Sequence, residues 1–250
     1  MSKKLLSLLL LFPVFAFIAP SKKIKIFLAG DSTMSIKDKR AYPENGWGMP
    51  FAGFWNEDVE VINLAKNGRS TKSFQRENLW QQIVDNATEG DYVFIQFGHN
   101  DEVPTKANAT TEPEFKANLE KFVKEARDKK AVPVLLTPVA RRKFDENGKV
   151  VGTHDVYSGI VRAVAAAQKV PMIDLDKEGQ ALYQKLGVEP SKLLFNYLEP
   201  GEHPNHPNGK VDDTHFSELG ARKIAEIVLK DIRTLLPDLA TYINNPAAKK

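Results

Sequence analysis

A hydroxyl, an imidazole and a carboxylate suffice for nucleophilic displacement at a carbonyl, provided folding brings them together. Candidates for all three stand in this chain. Gly30-Asp31-Ser32-Thr33-Met34 ends an apolar stretch, Ile24 to Ala29. Such a stretch suits a buried strand, and the glycine breaks it so that the Ser32 hydroxyl lies at the carboxyl edge of a sheet. A serine hydroxyl attacks only after a neighbouring base takes its proton. Asp212-Asp213-Thr214-His215 supplies an imidazole and two acids within one tight turn. An unperturbed imidazole titrates close to neutrality, which suits proton transfer in both directions. The bland alternatives are a capping serine at the start of a helix and a turn that caps the last helix.

Two further blocks follow predicted strands: Asn67-Gly68-Arg69-Ser70 and Gly98-His99-Asn100-Asp101. Taken singly, Gly68 is a turn glycine and Asn100 a left-handed turn residue. In a parallel sheet, however, the loops after successive strands converge on one edge, so these distant segments can meet.

The elements that must do this positioning are legible. Strands are expected at Ile24–Ala29, Val59–Asn63, Tyr92–Gln96, Val132–Thr137 and Pro171–Asp174. Thr111 and Pro113 open a helix whose inner face carries Phe115, Leu119, Phe122, Val123 and Ala126. Val156, Ile160, Val164 and Ala167 form a second apolar stripe. Ile224, Val228, Ile232 and Leu235 form a third, behind a Ser217 cap. Strand and helix in alternation predict an α/β fold, a three-layer α/β/α sandwich around a five-stranded parallel sheet in the flavodoxin-like order 2-1-3-4-5. Thr137 to Asp155 reads as a loop or small hairpin turning at Asn147-Gly148. Glu199 to Asp213 reads as a long ordered loop.

Residues 1–19 read as a secretory leader. Lys3 and Lys4 precede an apolar run from Leu5 to Ala19, too short to span a membrane comfortably, with cleavage after Ala16 or Ala19. A retained anchor or a buried first strand is the alternative. Residues 20–240 then form one domain, and 241–250 a frayed tail. The expected location is outside the cell or in the periplasm. The formal charge is +3; losing the two leader lysines leaves 3 − 2 = +1. So balanced a surface argues against nucleic acid as a partner, and no membrane association is expected once the leader is gone. The chain has no cysteine, which excludes disulfides, thiolate metal sites and a cysteine nucleophile. No phosphate-binding glycine loop is present.

With its four blocks in this order, the chain resembles the SGNH hydrolases, a branch of the GDSL-type esterases, from about Ile24 to about Leu236. Gly-Asp-Ser-Thr-Met, Asn67-Gly68-Arg69-Ser70, Phe97-Gly98-His99-Asn100-Asp101 and Asp212-x-x-His215 with Phe216 are most similar to the rhamnogalacturonan acetylesterases. The resemblance implies Ser32 as nucleophile, His215 as general base and Asp212, by the family spacing, as the acid that orients it. It also implies an oxyanion hole built from the backbone N–H groups of Ser32 and Gly68 and the Asn100 carboxamide. No metal or organic cofactor is expected. The implied activity is removal of O-acetyl groups from plant cell-wall polysaccharide, rhamnogalacturonan first. The alternatives are an acetylxylan esterase, another SGNH lipase, lysophospholipase or thioesterase, or a carbohydrate-binding protein without turnover.

Arg69, Trp47, His99, His203 and His206 are candidate substrate contacts. Trp47 reads equally as a sugar platform or as core. His203 and His206, two residues apart in a Pro-rich loop, are poor grounds for a metal and read as loop packing or substrate rim. Arg141, Arg142 and Lys143 are a basic run that more commonly means a solvated surface.

Overall fold

A computed structural model describes residues 22–244. The predicted leader, its cleavage site and the chain from 245 onward lie outside the described residues. Five strands form one sheet: β1 Ile24–Gly30, β2 Val59–Asn63, β3 Tyr92–Gln96, β4 Val132–Leu136 and β5 Met172–Ile173. All neighbours pair parallel, in the order β2-β1-β3-β4-β5, as the strand–helix alternation predicts. The last strand is shorter than expected, because Asp174 leaves the sheet to accept a hydrogen bond from the Lys177 N–H and cap the next helix.

Eight helices flank the sheet among the described residues: α1 Gly48–Phe51, α2 Thr71–Arg76, α3 Leu79–Asn86, α4 Glu112–Asp128, α5 Asp155–Gln168, α6 Leu175–Leu186, α7 Glu218–Leu235 and α8 Pro237–Ala240. Alternate strand residues feed two cores. Ile26, Leu28, Phe94, Val134, Leu136 and Ile173 pack towards α1 and α7. Phe27, Ala29, Val93, Ile95 and Leu135 pack with the apolar faces of α3, α4 and α5. This is the three-layer sandwich, and it follows from the period of two along each strand.

The α4 stripe is buried as predicted, behind a capping box in which the Thr111 hydroxyl accepts from the Glu114 N–H and Glu114 accepts from the Thr111 N–H. The α5 stripe departs from the expected one at its ends. Val156 is 54% exposed and Ala167 is exposed, while Ser158, Val161, Val164 and Ala165 face inward. Ile160 and Val164 of the expected stripe do pack against the core, so only its two ends, Val156 and Ala167, are misplaced, and the buried face lies against α4. On α7, Ile224, Val228 and Ile232 are buried, but Leu235 lies at the helix end and is partly exposed.

The region from Thr137 to Asp155 does contain a small hairpin, with Phe144 bridged to Val150. The long loop at Glu199–Asp213 is held at its base by mutual Leu198 and Lys210 backbone bonds of 2.8 Å. The expected frayed tail is corrected for residues 241–244. Ile243 bridges Trp55, and Asn244 donates to the carbonyls of Phe54 and Trp55. Burial of the Ile243 side chain beside Trp55 supplies the reason.

Candidate active site

β1 delivers its last residue, Gly30, opposite Gln96 of β3. A Cβ at Gly30 would lie 2.8 Å from Met34 Sδ and 3.0 Å from the Gln96 carbonyl oxygen, so only glycine lets the chain turn so tightly here. The turn is then locked. Asp31 Oδ1 accepts from the Thr33 N–H at 2.9 Å and the Thr33 hydroxyl at 2.8 Å, and the Asp31 carbonyl accepts from the N–H groups of Met34 and Ser35. Ser32 sits at the apex.

Its hydroxyl lies 3.0 Å from His215 Nε2. On the far side of the ring, Nδ1 is 2.8 Å from Asp212 Oδ2. Asp212 Oδ1 accepts from the backbone N–H groups of Thr214 and His215, both at 2.9 Å. Burial would push the Asp212 carboxyl up. The hydrogen bond and charge of His215, with the two backbone N–H groups, outweigh it and hold the acid well below the usual carboxylate range. An ionised Asp212 can only accept. Nδ1 therefore carries the proton, and Nε2 is left with a lone pair facing the serine hydroxyl. The arrangement can take a proton from Ser32 and return it to a leaving group.

Asp213 faces elsewhere. It pairs with Arg142 at 2.8 Å and accepts from the Tyr197 hydroxyl. Arg142 also donates to Ser191 Oγ and the Val188 carbonyl, and its own N–H bonds the Asp213 carbonyl at 2.8 Å. The expected solvated run is thus corrected at Arg142, which is a buried clamp on the Asp212–His215 turn. Arg142→Met leaves those acceptors without a donor. It should lower folding stability by about 3 kcal/mol, read as a lower thermal midpoint; an unchanged midpoint would show that the clamp is unimportant.

Three loops meet at Ser32. Asn67 Oδ1 accepts from Ser35 Oγ at 2.6 Å and from Lys37 Nζ at 2.9 Å. Gly68 has φ +76°, left-handed backbone that favours glycine, and its carbonyl accepts from Asn108 Nδ2. The Ser32 and Gly68 N–H groups donate to no backbone carbonyl among the described residues. Asn100 Nδ2 donates to the Arg69 carbonyl at 3.0 Å while Lys106 Nζ sits 2.6 Å from Oδ1. A carboxamide has two N–H groups, so one remains, made a better donor by the cation on its oxygen.

Asp101, wholly buried, fixes this loop from beneath. It accepts from the Thr71 N–H and hydroxyl and from the Thr110 hydroxyl. Burial raises its carboxyl to about 7 in spite of those bonds.

For the other candidate contacts the structure selects the packing role over the substrate role. Trp47 is 0% exposed and its Nε1 donates to Gln96 Oε1 at 2.7 Å, so it is core and not a sugar platform. The ring packs edge-on against Phe51 in the layer beneath the sheet. His99 is 3% exposed and lies 4.2 Å from the His154 ring. Burial holds it well below its ordinary range, hence neutral; it supports the loop from within and reaches no substrate. Arg69 pairs with Glu77 at 2.7 Å and donates to the Asn67 carbonyl, so three of its five N–H donors hold the 67–77 segment together. His203 and His206 bridge each other, and His203 lies against Tyr42, so they pack the long loop onto the 39–42 segment. Arg141 is partly exposed, donates to Thr214 Oγ1 and comes no nearer to Glu102 than 3.9 Å.

Sequence reasoning missed Lys37, Glu44 and Lys210. Glu44 bridges both ammoniums, at 2.8 Å to Lys37 and 3.0 Å to Lys210. Lys210 is also 3.4 Å from Asp212 Oδ2. Glu44, Asp212 and His215 offer three ligand atoms within 4.8 Å of one another. The two lysines already compensate those carboxylates, so this donor set does not fit a divalent cation.

The model of the GDSL-like Lipase/Acylhydrolase family matches residues 28–223. A rhamnogalacturonan acetylesterase of Bacillus subtilis, RhgT, is 45% identical over 216 residues, 86% of this chain and 91% of that protein. A probable rhamnogalacturonan acetylesterase of the same organism, YesY, is 35% identical over 212 residues, 84% of this chain and 93% of that protein. An acetylxylan esterase of Geobacillus stearothermophilus shares the fold, with a TM-score of 0.62 at 18% identity over 84% of this chain and 94% of that one.

Proposed function

We propose, for a chain that belongs to the GDSL-like lipase/acylhydrolase family and is an esterase, that it removes O-acetyl groups from rhamnogalacturonan by way of an acetyl-serine. The observation that carries the chemistry is the alignment of Ser32 Oγ, His215 Nε2 and Asp212 Oδ2 at 3.0 and 2.8 Å. The relatives named as rhamnogalacturonan acetylesterases, similar along most of both chains, support the substrate.

Ser32 attacks the acetyl carbonyl as His215 Nε2 takes its proton. The oxyanion lies among the Ser32 and Gly68 N–H groups and the Asn100 amide, donors whose positions are fixed before the charge develops. The imidazolium then protonates the departing sugar oxygen, which leaves as a hydroxyl. Water, deprotonated by the same nitrogen, releases acetate and restores Ser32. The rate falls on acidification because a protonated imidazole has no lone pair to offer.

The loops that carry the candidate site residues bring polar side chains, Asn67, Asn100, Lys106 and Thr214. They suit a small acyl group better than a long alkyl chain, whose burial needs an apolar groove. A secretory leader at residues 1–19, as the sequence leads one to expect, would also fit a polymer substrate that does not enter cells.

The test is acetate release from acetylated rhamnogalacturonan, acetylxylan and a pair of acetyl and octanoyl aryl esters. The expected order puts rhamnogalacturonan at least tenfold above xylan in kcat/KM, and acetyl at least tenfold above octanoyl. A preference for xylan would move the substrate to hemicellulose, and a preference for octanoyl would make the chain a lipase.

A further inference from the structure

Ser32 and His215 are joined a second time, through charge. The Lys37 ammonium donates to the Ser32 carbonyl oxygen and to Asn67 Oδ1. It pairs with Glu44, Glu44 with Lys210, and Lys210 with Asp212. Asp212 holds His215, whose Nε2 meets Ser32 Oγ. The path leaves Ser32 by its carbonyl and returns by its hydroxyl, a closed circuit through two separate segments of chain, 32–44 and 210–215.

The inner part of the circuit is largely buried. The Lys37 side chain is 2% exposed and that of Glu44 10%. An isolated buried ammonium would be very costly. Burial does lower the Lys37 ammonium below its ordinary range, against the opposing pull of Glu44. Burial would raise Glu44, but the charges of Lys37 and His215 outweigh it and the carboxyl sits below its ordinary range. Each charge thus depends on the next, and the geometry of each fixes the next.

We propose that Lys37, Glu44 and Lys210 are positioning residues: they hold the nucleophile's turn in register with the Asp212–His215 turn and set the charge that the imidazole faces. This rests on His215 as the base. Each acts through another residue, Lys37 through the Ser32 carbonyl and Glu44 and Lys210 through Asp212 and His215.

The groups facing His215 are Asp212 on its own turn, Glu44 from the first loop, and the buried, neutral His99. Arg141 lies beside it through Thr214. Lys210 acts on it through Asp212 and Glu44; Lys37 faces Glu44 and Asp31. Two substitutions therefore have opposite signs. Glu44→Gln removes an anion and leaves both lysines, which disfavours the imidazolium. The acidic limb of kcat/KM moves to lower pH. Lys210→Met removes a cation, which favours the imidazolium, and the limb moves to higher pH. For charges at this range the displacement is on the order of half a unit to one unit in each case. kcat falls about tenfold or more in each as the two turns lose register, with KM changed less than twofold. Lys210→Arg keeps the charge and restores the limb.

The measurement is the pH profile of kcat and KM on an acetyl aryl ester, with circular dichroism to verify folding. If Glu44→Gln does not fold, the Lys210→Met and Lys210→Arg pair decides alone. Limbs that stay fixed, move in the same direction, or a loss confined to KM would overturn the proposal. Ser32→Ala on the same ester tests the underlying reading separately, since a failed circuit leaves the wild-type enzyme active and dependent on Ser32.

Discussion

Ser32→Ala lowers kcat on an acetyl aryl ester by roughly 10⁴–10⁶-fold, the expected loss when the only atom able to carry the acyl group is removed. The argument is geometric. His215 Nε2 has one polar partner among the described residues, the Ser32 hydroxyl at 3.0 Å. Without it the base faces solvent, and no other hydroxyl in the surrounding loops is in its reach. Thr33 cannot substitute, because its hydroxyl is bound to Asp31 and Gln96. The loss stops short of the uncatalysed rate because the oxyanion donors proposed at Gly68 and Asn100 remain for an oxyanion formed by attack of water. Stability should hardly change. The turn is fixed by Asp31 and by the N–H groups that bond its carbonyl, none of which involves Ser32 Oγ. Two readouts follow: the variant keeps the wild-type thermal midpoint, and a fluorophosphonate that labels the wild type no longer labels it. Undiminished turnover would remove Ser32 from the mechanism and return it to its bland role as a turn serine.

How much of this was legible in the sequence depended on what kind of interaction held each part. The strands and the α4 stripe were readable because a period, two in one case and 3.6 in the other, repeats locally. The α5 stripe was readable only at its middle, Ile160 and Val164; at its ends small residues such as Ser158 and Ala165 face inward, which hydrophobicity alone does not signal. Trp47 was readable only as a choice between two roles. What decided it was its Nε1 bond to Gln96, 49 residues away in the sequence, and no local pattern encodes such a contact. The four blocks around the site were recognisable because chemistry restricts which residues can occupy them. Lys37, Glu44 and Lys210 carried no such signal. They lie in irregular loops, 166 residues separate the last two, and charged residues in loops usually mean solvent. Only the buried fraction of Lys37 and Glu44 distinguishes them, and burial is a property of the folded chain.

The choice between the two acids of the Asp212-Asp213 pair is the sharpest case, because the sequence offers both at nearly the same distance from His215. Asp212→Asn should lower kcat by about 10⁴-fold at neutral pH, with a modest loss of stability because the Lys210 ammonium, 3.4 Å from Oδ2, loses its anion. The replacement amide keeps an oxygen, which can still accept from the Thr214 and His215 N–H groups that Oδ1 serves at 2.9 Å, so the turn survives. The other atom becomes a nitrogen and can only donate. Facing His215 Nδ1, it makes that nitrogen an acceptor and pushes the ring proton to Nε2. An Nε2–H then points at the Ser32 hydroxyl and cannot take its proton. The imidazolium formed during attack also loses its neighbouring anion. Asp213→Asn predicts a different pattern. Its partners are Arg142 and Tyr197, not the imidazole, so the variant should lower the thermal midpoint while kcat falls less than about tenfold. Measuring both quantities in both variants separates a carboxylate that fixes a tautomer from one that fixes a turn. If Asp213→Asn proved the inactive variant and Asp212→Asn the active one, the imidazole would have to be oriented from the opposite side of the turn, and the order Ser32, His215, Asp212 would be wrong.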